Sequence, residues 1–145
     1  MAGKTDYLSN AWLKLLFQAI PIANIADNAS ASPLTQLYLS LHTADPGDAP
    51  VNGQSQYEAN YVGYARIALS RSTGGWAVVG KAVSPQADII LGRCTNGVMT
   101  ITHAGVGTAP SGAGILLYSG AVSPQIATQP GVRPIIEAGS TITEE

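Results

Sequence analysis

The feature that most constrains the fold is a series of short apolar segments separated by turn signals. In the first of them, Leu37, Leu39 and Leu41 alternate with less apolar neighbours, which is the period-two pattern of a half-buried strand. Comparable segments are found at 64–70, 76–79, 88–91, 98–104, 115–118, 134–137 and 140–143. We therefore predict a mainly β chain, an antiparallel β-sandwich or jelly roll of about seven or eight strands.

Turn residues between these segments indicate where the chain reverses. Asp45-Pro46-Gly47 follows the first segment, Gly74-Gly75 predicts a hairpin between its two flanking segments, and Asn96-Gly97 is a strong signal for another hairpin. Crossover helices, which a parallel sheet would need, are not indicated between the segments.

One amphipathic helix is predicted ahead of the strands, over residues 6–20. Apolar side chains recur at three- and four-residue steps from Leu8 to Ala19, Thr5 suits the N-cap position, and Pro21 ends the helix. Further apolar residues lie outside this stripe, so the helix is apolar on more than one side. Such a helix can pack on its own domain with one side and on a partner with the other.

The segment 21–33 is rich in Ala, Asn, Ser and Pro and has no periodicity, which is typical of a linker. We therefore divide the chain into an N-terminal arm of helix and linker, residues 1–33, and a β-sandwich domain, residues 34–145.

The low content of charged residues indicates that the protein is partly covered by neighbours. Only 11% of the residues are charged, against roughly 25% in an ordinary soluble domain, and 46% are hydrophobic. We expect self-association, as a homodimer, to cover part of this surface. The net charge of −2 argues against nucleic-acid binding, and apolar segments far shorter than the ~20 residues of a membrane span argue against a membrane partner.

Residues that could carry catalysis are few. His42 and His103 fall on predicted strands, where a structural or surface imidazole is expected. Cys94 is the single cysteine, which agrees with a reducing cytoplasm, and we expect a buried thiol. Asp45 and Asp48 flank a turn without the further ligands that calcium needs. We predict no catalytic, metal-binding or cofactor-binding residues, and no enzymatic activity.

Two groups of apolar side chains are candidates for contacts with other molecules. Residues 1–22 are predicted to anchor the chain on a partner, the alternative being that the helix covers an open face of its own sandwich. Tyrosines in the segment 38–64 are candidates for stacking on sugars, for a protein interface or for ordinary packing. The candidate interface residues are Tyr7, Trp12, Leu16, Phe17, Tyr38, Tyr57 and Tyr61.

Several segments that together span most of the chain carry a resemblance to a known family. They are Asp6-Tyr7-Leu8, Leu37-Tyr38-Leu39-Ser40-Leu41-His42-Thr43-Ala44-Asp45-Pro46-Gly47, Gly63-Tyr64-Ala65-Arg66, Ala87-Asp88-Ile89-Ile90, Thr102-His103-Ala104-Gly105 and Leu116-Leu117-Tyr118-Ser119-Gly120. The set resembles small structural proteins encoded beside the capsid genes of tailed bacteriophages, and most of all the jelly-roll cement proteins of short-tailed phages.

The resemblance implies a capsid cement, or decoration, protein. Such a structural virion protein is made in the host bacterial cytoplasm, pairs as a homodimer on the capsid exterior, clamps neighbouring subunits of the major capsid protein, and needs no cofactor. The leading alternative is a tail-tip or tail-fibre component whose β-sandwich binds a host-surface glycan. A carbohydrate-binding module of non-phage origin and a hydrolase are the remaining alternatives.

Overall fold

A computed structural model describes residues 2–18, 20–26, 34–80 and 82–143 of the chain. Within them the protein is mainly β, with ten strands in antiparallel sheets and one α-helix near the N-terminus. This confirms the predicted fold class and is consistent with a β-sandwich.

The helix α1 spans Asp6–Gln18, and a short 3-10 turn spans Gly53–Ser55. The strands are β1 (Ala2–Lys4), β2 (Gln36–His42), β3 (Ile67–Ser70), β4 (Trp76–Val79), β5 (Ala82–Pro85), β6 (Ile89–Ile90), β7 (Met99–Gly107), β8 (Leu116–Thr128), β9 (Ile135–Ile136) and β10 (Ile142–Thr143).

The largest sheet has five strands in the order β1-β8-β7-β2-β3. A second sheet has the order β10-β5-β4, and β6 and β9 form a two-stranded sheet. Each neighbouring pair of strands is antiparallel.

The hydrophobic core lies against one face of the five-stranded sheet. Leu39 and Leu41 of β2 and Ile101 of β7 are buried there, together with Leu91 and Cys94 from the segment after β6. The Cys94 thiol is thus buried, as expected from the sequence. Because side chains alternate along a strand, the polar residues between the β2 leucines lie on the opposite face.

The chain ahead of the helix belongs to the five-stranded sheet, because β1 pairs with β8. Thr5 follows β1 and is buried; its N–H donates to the carbonyl of Leu117 at 3.1 Å, and its hydroxyl donates to that of Leu116 at 2.9 Å. The same hydroxyl oxygen accepts the N–H of Leu8 at 3.3 Å, which confirms Thr5 as the N-cap. The β structure therefore begins at residue 2, well before the domain boundary placed after residue 33.

The two predicted hairpins are wrong. The strands flanking Gly74-Gly75 are β3 and β4, but β3 pairs with β2, and β4 with β5. The strands flanking Asn96-Gly97 are β6 and β7, but β6 pairs with β9, and β7 with β2 and β8. Gly74-Gly75 does lie in a hydrogen-bonded turn, since the N–H groups of Gly75 and Trp76 donate to the Ser72 carbonyl, but this turn leads from one sheet to another. Asn96 instead pairs with Val62 in an isolated bridge.

Candidate functional site

Part of the long connection 43–66, which joins β2 to β3, packs on the second face of the five-stranded sheet, around Gln54 and Gln56. Gln54, in the 3-10 turn, is fully buried, and its Nε2 donates to the Tyr38 carbonyl at 2.8 Å and to Ser40 Oγ at 3.2 Å. Its Oε1 accepts a hydrogen bond from Nη1 of Arg66 at 3.2 Å. One amide side chain thus ties the middle of the connection to the strand beneath it and to the arginine at its end.

Arg66 is the centre of a polar network that holds two loops together. Its Nε and Nη2 donate to the two carboxylate oxygens of Glu58, each at 2.7 Å. Its Nη1 and Nη2 also donate to the carbonyls of Ala109 and Gly112, at 2.9 and 2.6 Å. Because these carbonyls belong to the loop between β7 and β8, the guanidinium joins that loop to the connection 43–66.

The Tyr64 hydroxyl completes this network. It donates to Oε1 of Glu58 at 2.7 Å and accepts the N–H of Leu41 at 3.1 Å. Burial, with a further contribution from the Glu58 carboxylate, raises the pKa of Tyr64, so the hydroxyl keeps its proton and remains a donor.

A serine and a histidine lie side by side on this covered face. Ser40 Oγ is 2.9 Å from Nε2 of His42, and Nδ1 of His42 is 2.7 Å from the Gln56 carbonyl. A carbonyl can only accept, so Nδ1 carries the proton and Nε2 accepts the serine hydroxyl. Burial lowers the pKa of His42, which keeps the ring neutral.

The Ser40 and His42 pair has the spacing of a nucleophile and a base, but it has no room for a substrate. Both residues are fully buried. A methyl group placed on Gly105 would come within 2.9 Å of His42 Nε2 and 3.2 Å of Ser40 Oγ, so the neighbouring backbone packs directly on both. In this structure the pair holds the sheet and the connection 43–66 together.

The network supports an exposed loop tip. Tyr57 has a left-handed backbone with φ of +52°, which is uncommon for a bulky residue, and 53% of it is exposed. Its carbonyl accepts the N–H of Thr43 at 2.9 Å, while both neighbours in sequence, Gln56 and Glu58, are held by the buried hydrogen bonds described above. Val51, in the same connection, is 92% exposed. The loop therefore presents two apolar side chains on a rigid support.

The helix carries a second exposed apolar surface. Tyr7, Trp12 and Phe17 are exposed, whereas Leu8 is buried against the protein. The backbone N–H of Asp6 donates to the carbonyl of Asp48 at 2.7 Å, so the start of the helix adjoins the start of the loop that presents Val51 and Tyr57. We call the side chains Tyr7, Trp12, Phe17, Val51 and Tyr57 together the apolar surface; the three on the helix are five residues apart and therefore lie on different sides of it.

Not all of the predicted interface residues belong to this surface. Tyr61 is 3% exposed, its hydroxyl donates to the Gly92 carbonyl at 2.9 Å, and its ring meets the Tyr64 ring edge-on at 5.5 Å. Its placement at an interface is therefore corrected: the side chain is part of the hydrophobic core. Tyr38 is half-buried, and the side chain of Leu16 lies outside the described residues.

The sequence prediction missed the Arg66 network, although the sequence holds a signal for it. Arg66 is the single charged residue of the segment 64–70, which otherwise reads as an apolar strand, and Glu58 is the single acidic residue between Asp48 and Asp88. A charged side chain in an otherwise apolar strand is expected to be buried, and a buried charge needs an oppositely charged partner. The exposure of Val51 had no such signal.

In the described parts of the chain, no helix is long and apolar enough to cross a membrane. The described His, Cys, Asp and Glu side chains form no group of three or more that could hold a metal ion.

Comparison with known proteins gives one match over nearly the whole chain. The model of a family described as "Podophage GP4 fiber I protein gp80" matches residues 3–144. No curated protein matches the chain.

Proposed function

Since the chain belongs to the family of podophage GP4 fiber I protein gp80, we propose that it is a structural subunit of a fibre on the virion of a short-tailed phage. Membership makes it a phage structural protein, and a place in the virion fits that role. The family description speaks of a fibre and does not specifically support a capsid cement. We therefore prefer the role of a fibre subunit. The role that the resemblance implied, clamping major capsid subunits on the capsid exterior, is the less supported one.

The structural observation that best supports this proposal is the apolar surface beside a rigid network. A fibre subunit has to bind neighbouring proteins, and exposed aromatic side chains on a pre-organised support are typical of protein interfaces. Three aromatic side chains on α1 and one on the loop tip offer such contacts. Self-association as a homodimer remains a prediction and is one way of covering this surface.

The proposed role is structural and does not involve catalysis. Ser40 and His42 hold the connection 43–66 to the sheet, and the charged pair of Arg66 and Glu58 holds two loops. The hydrogen bonds of these polar clusters therefore hold loops and strands together.

Labelling of purified phage tests the proposed function. Antibodies against the protein, or gold particles on an affinity tag, should mark the tail region in electron micrographs. Quantitative mass spectrometry should find far fewer copies of the chain than of the major capsid protein. Label distributed over the whole shell, with hundreds of copies per virion, would overturn the fibre and support the capsid instead.

A further inference from the structure

The two-stranded sheet of β6 and β9 has an exposed outer face. Ile89 and Ile136 pair with each other and pack on the core side of this sheet. Because side chains alternate along a strand, their neighbours Ile90 and Ile135 point away from the core, and they are 52% and 45% exposed. Two isoleucines that are paired across a sheet and open to solvent form a small apolar patch.

The pairing of the two segments continues past the ends of the strands. The N–H of Leu91 donates to the carbonyl of Pro134 at 3.0 Å, and Pro134 is buried. The next outward position is therefore Arg133, whose side chain is exposed. Next to this ladder, Val62 donates its N–H to the Asn96 carbonyl at 2.9 Å and is 57% exposed, so it extends the apolar patch on one side.

Opposite charges stand on the two sides of the apolar patch. Arg133, Ile135 and Glu137 follow each other at intervals of two residues, and both charged side chains are exposed. At ~3.3 Å per residue of extended chain, the arginine and the glutamate are about 13 Å apart along the face. Within the described residues neither of them has an ion-pair partner.

A second charged residue reinforces each end of the face. Asp88 lies at the acidic end, where its Oδ1 accepts the N–H of Ala138 at 2.8 Å. Arg93 lies at the basic end, where its Nη1 donates to the Gly131 carbonyl at 2.9 Å. Both side chains are exposed. We call this surface the bipolar face; its residues are Asp88, Ile90, Arg93, Arg133, Ile135 and Glu137.

The bipolar face is complementary to itself. When two copies face each other with their β9 segments antiparallel, Ile135 of one copy meets Ile135 of the other. Arg133 of each copy then lies opposite Glu137 of the other, and the two-fold symmetry makes this contact twice. The same rotation that brings the apolar centres together thus brings unlike charges together at both ends.

We propose that the bipolar face binds a second copy of this chain, face to face about a two-fold axis. A partner of one charge sign, such as a polyanion, would match one end of the face and be repelled by the other. A second copy matches both ends and covers the isoleucines as well. The low content of charged residues predicts self-association without saying where; the bipolar face gives it a place. This pairing goes beyond the fibre role and leaves the apolar surface free for another contact.

Two single substitutions test the pairing, each reversing the charge at one end. Glu137→Lys makes both ends basic, and Arg133→Glu makes both ends acidic. Each variant alone should dimerise at least about tenfold more weakly than the unmodified chain, because like charges then face each other. A mixture of the two should pair well again, since the basic face of one variant meets the acidic face of the other.

Native mass spectrometry measures this pairing when one chain of each mixture is labelled with ¹⁵N. Labelled and unlabelled copies of the unmodified chain should pair at random, whereas mixed pairs should dominate between the two variants. Association through the apolar surface also mixes copies at random, so the excess of mixed pairs identifies the bipolar face. The matched control is Asp48→Lys, which makes the same charge change at an exposed position in the connection 43–66 and should leave pairing unchanged.

A further variant gives a result that does not depend on charge. Ile135→Ser removes the centre of the apolar patch at a half-exposed position and should also weaken dimerisation. Circular dichroism checks that each variant is folded, as expected for exposed positions.

Three results would overturn the proposal. The first is that the unmodified chain forms no pairs at up to about 0.1 mM, where a specific contact should be populated. The second is that the folded variants pair as strongly alone as the unmodified chain does, or that their mixture shows no excess of mixed pairs. The third is that Asp48→Lys weakens pairing as much as Glu137→Lys. Tail labelling of the virion is independent of each of these results.

Discussion

Arg66 and Glu58 form a two-point ion pair, in which Nε and Nη2 of the guanidinium donate to separate carboxylate oxygens, each at 2.7 Å. The side chains are only 2% and 17% exposed, and the arginine also donates to backbone carbonyls of the loop between β7 and β8. The pair thus fixes the support beneath the loop tip that presents Tyr57. Loss of either partner leaves the other one buried without an opposite charge beside it.

Replacing Arg66 should destabilise the protein strongly. We expect Arg66→Ala to lower the free energy of unfolding by about 3–5 kcal/mol, because it leaves a buried carboxylate unpaired. Arg66→Lys should also be destabilising, since an ammonium group cannot make the two-point contact. Urea unfolding followed by circular dichroism measures both changes. The control is Arg93→Ala: Arg93 donates to the Gly131 carbonyl at an exposed position, so a loss there as large as for Arg66 would contradict the argument.

The network shows what the sequence could and could not predict. Alternation at Leu37, Leu39 and Leu41 predicted β2 and its buried face, because burial on one side of a strand imposes a local period of two. The partners of Arg66 lie 8 residues away at Glu58 and 43 residues away at Ala109. Contacts over such separations depend on how loops cross the sheet, which no local pattern records.

Stability should fall as the pH is lowered, because of His42. Burial lowers the pKa of His42 in the folded protein, whereas an unfolded histidine titrates near 6.5. The unfolded state therefore binds more protons below about pH 6.5, and the free energy of unfolding decreases from there down to the folded-state pKa. Above that range the contribution is constant. Urea midpoints between pH 5 and pH 8 measure it.

Substitution of each histidine separates this effect from other titrations. His42→Asn should lower stability at neutral pH and flatten the decrease between pH 6.5 and 5. His103 is hydrogen-bonded to Thr102 and only partly buried, so His103→Asn should keep most of the decrease. A pH profile that stays the same in His42→Asn would show that other groups cause it.

Tyr57 and Tyr61 should respond oppositely to substitution, although they are four residues apart in the same connection. Glycine adopts a left-handed backbone without strain, so Tyr57→Gly should leave the free energy of unfolding unchanged or raise it by up to about 1 kcal/mol. Tyr61→Ala empties a buried site and should lower it by about 3–5 kcal/mol. Thermal unfolding compares the two. Equal losses would mean that the Tyr57 ring is also packed in the core.

This pair also shows why the interface was only partly predictable. Tyr57 and Tyr61 both stand in a polar, non-periodic segment, and there the sequence does not tell which side chain points inward. Burial of Tyr61 depends on Gly92, whose carbonyl accepts its hydroxyl from 31 residues away. On the helix the 3.6-residue period placed Leu8 on the predicted stripe and Phe17 outside it, as the structure has them, but Trp12, on the same stripe as Leu8, is exposed.

The exposed helix residues should contribute to association and not to folding. Trp12→Ser combined with Phe17→Ser should lower the free energy of unfolding by clearly less than loss of a buried side chain does, because Phe17 is 81% and Trp12 42% exposed. The same double variant should sediment more as a monomer than the unmodified chain does, and should enter phage particles less efficiently. Leu8→Ala is the control: Leu8 is buried, and its loss should cost about 2–5 kcal/mol.

Point substitutions test the anchoring role of residues 1–22 better than deletion of this segment. Deletion would also remove β1 and Thr5, which pair with β8 and bond to the carbonyls of Leu116 and Leu117, so it would damage the sheet itself. The double variant at Trp12 and Phe17 leaves those contacts intact. If it unfolds as readily as Leu8→Ala, the outer side of the helix belongs to the core of its own sandwich. If it folds normally but no longer associates, the helix is the part of the chain that holds the partner.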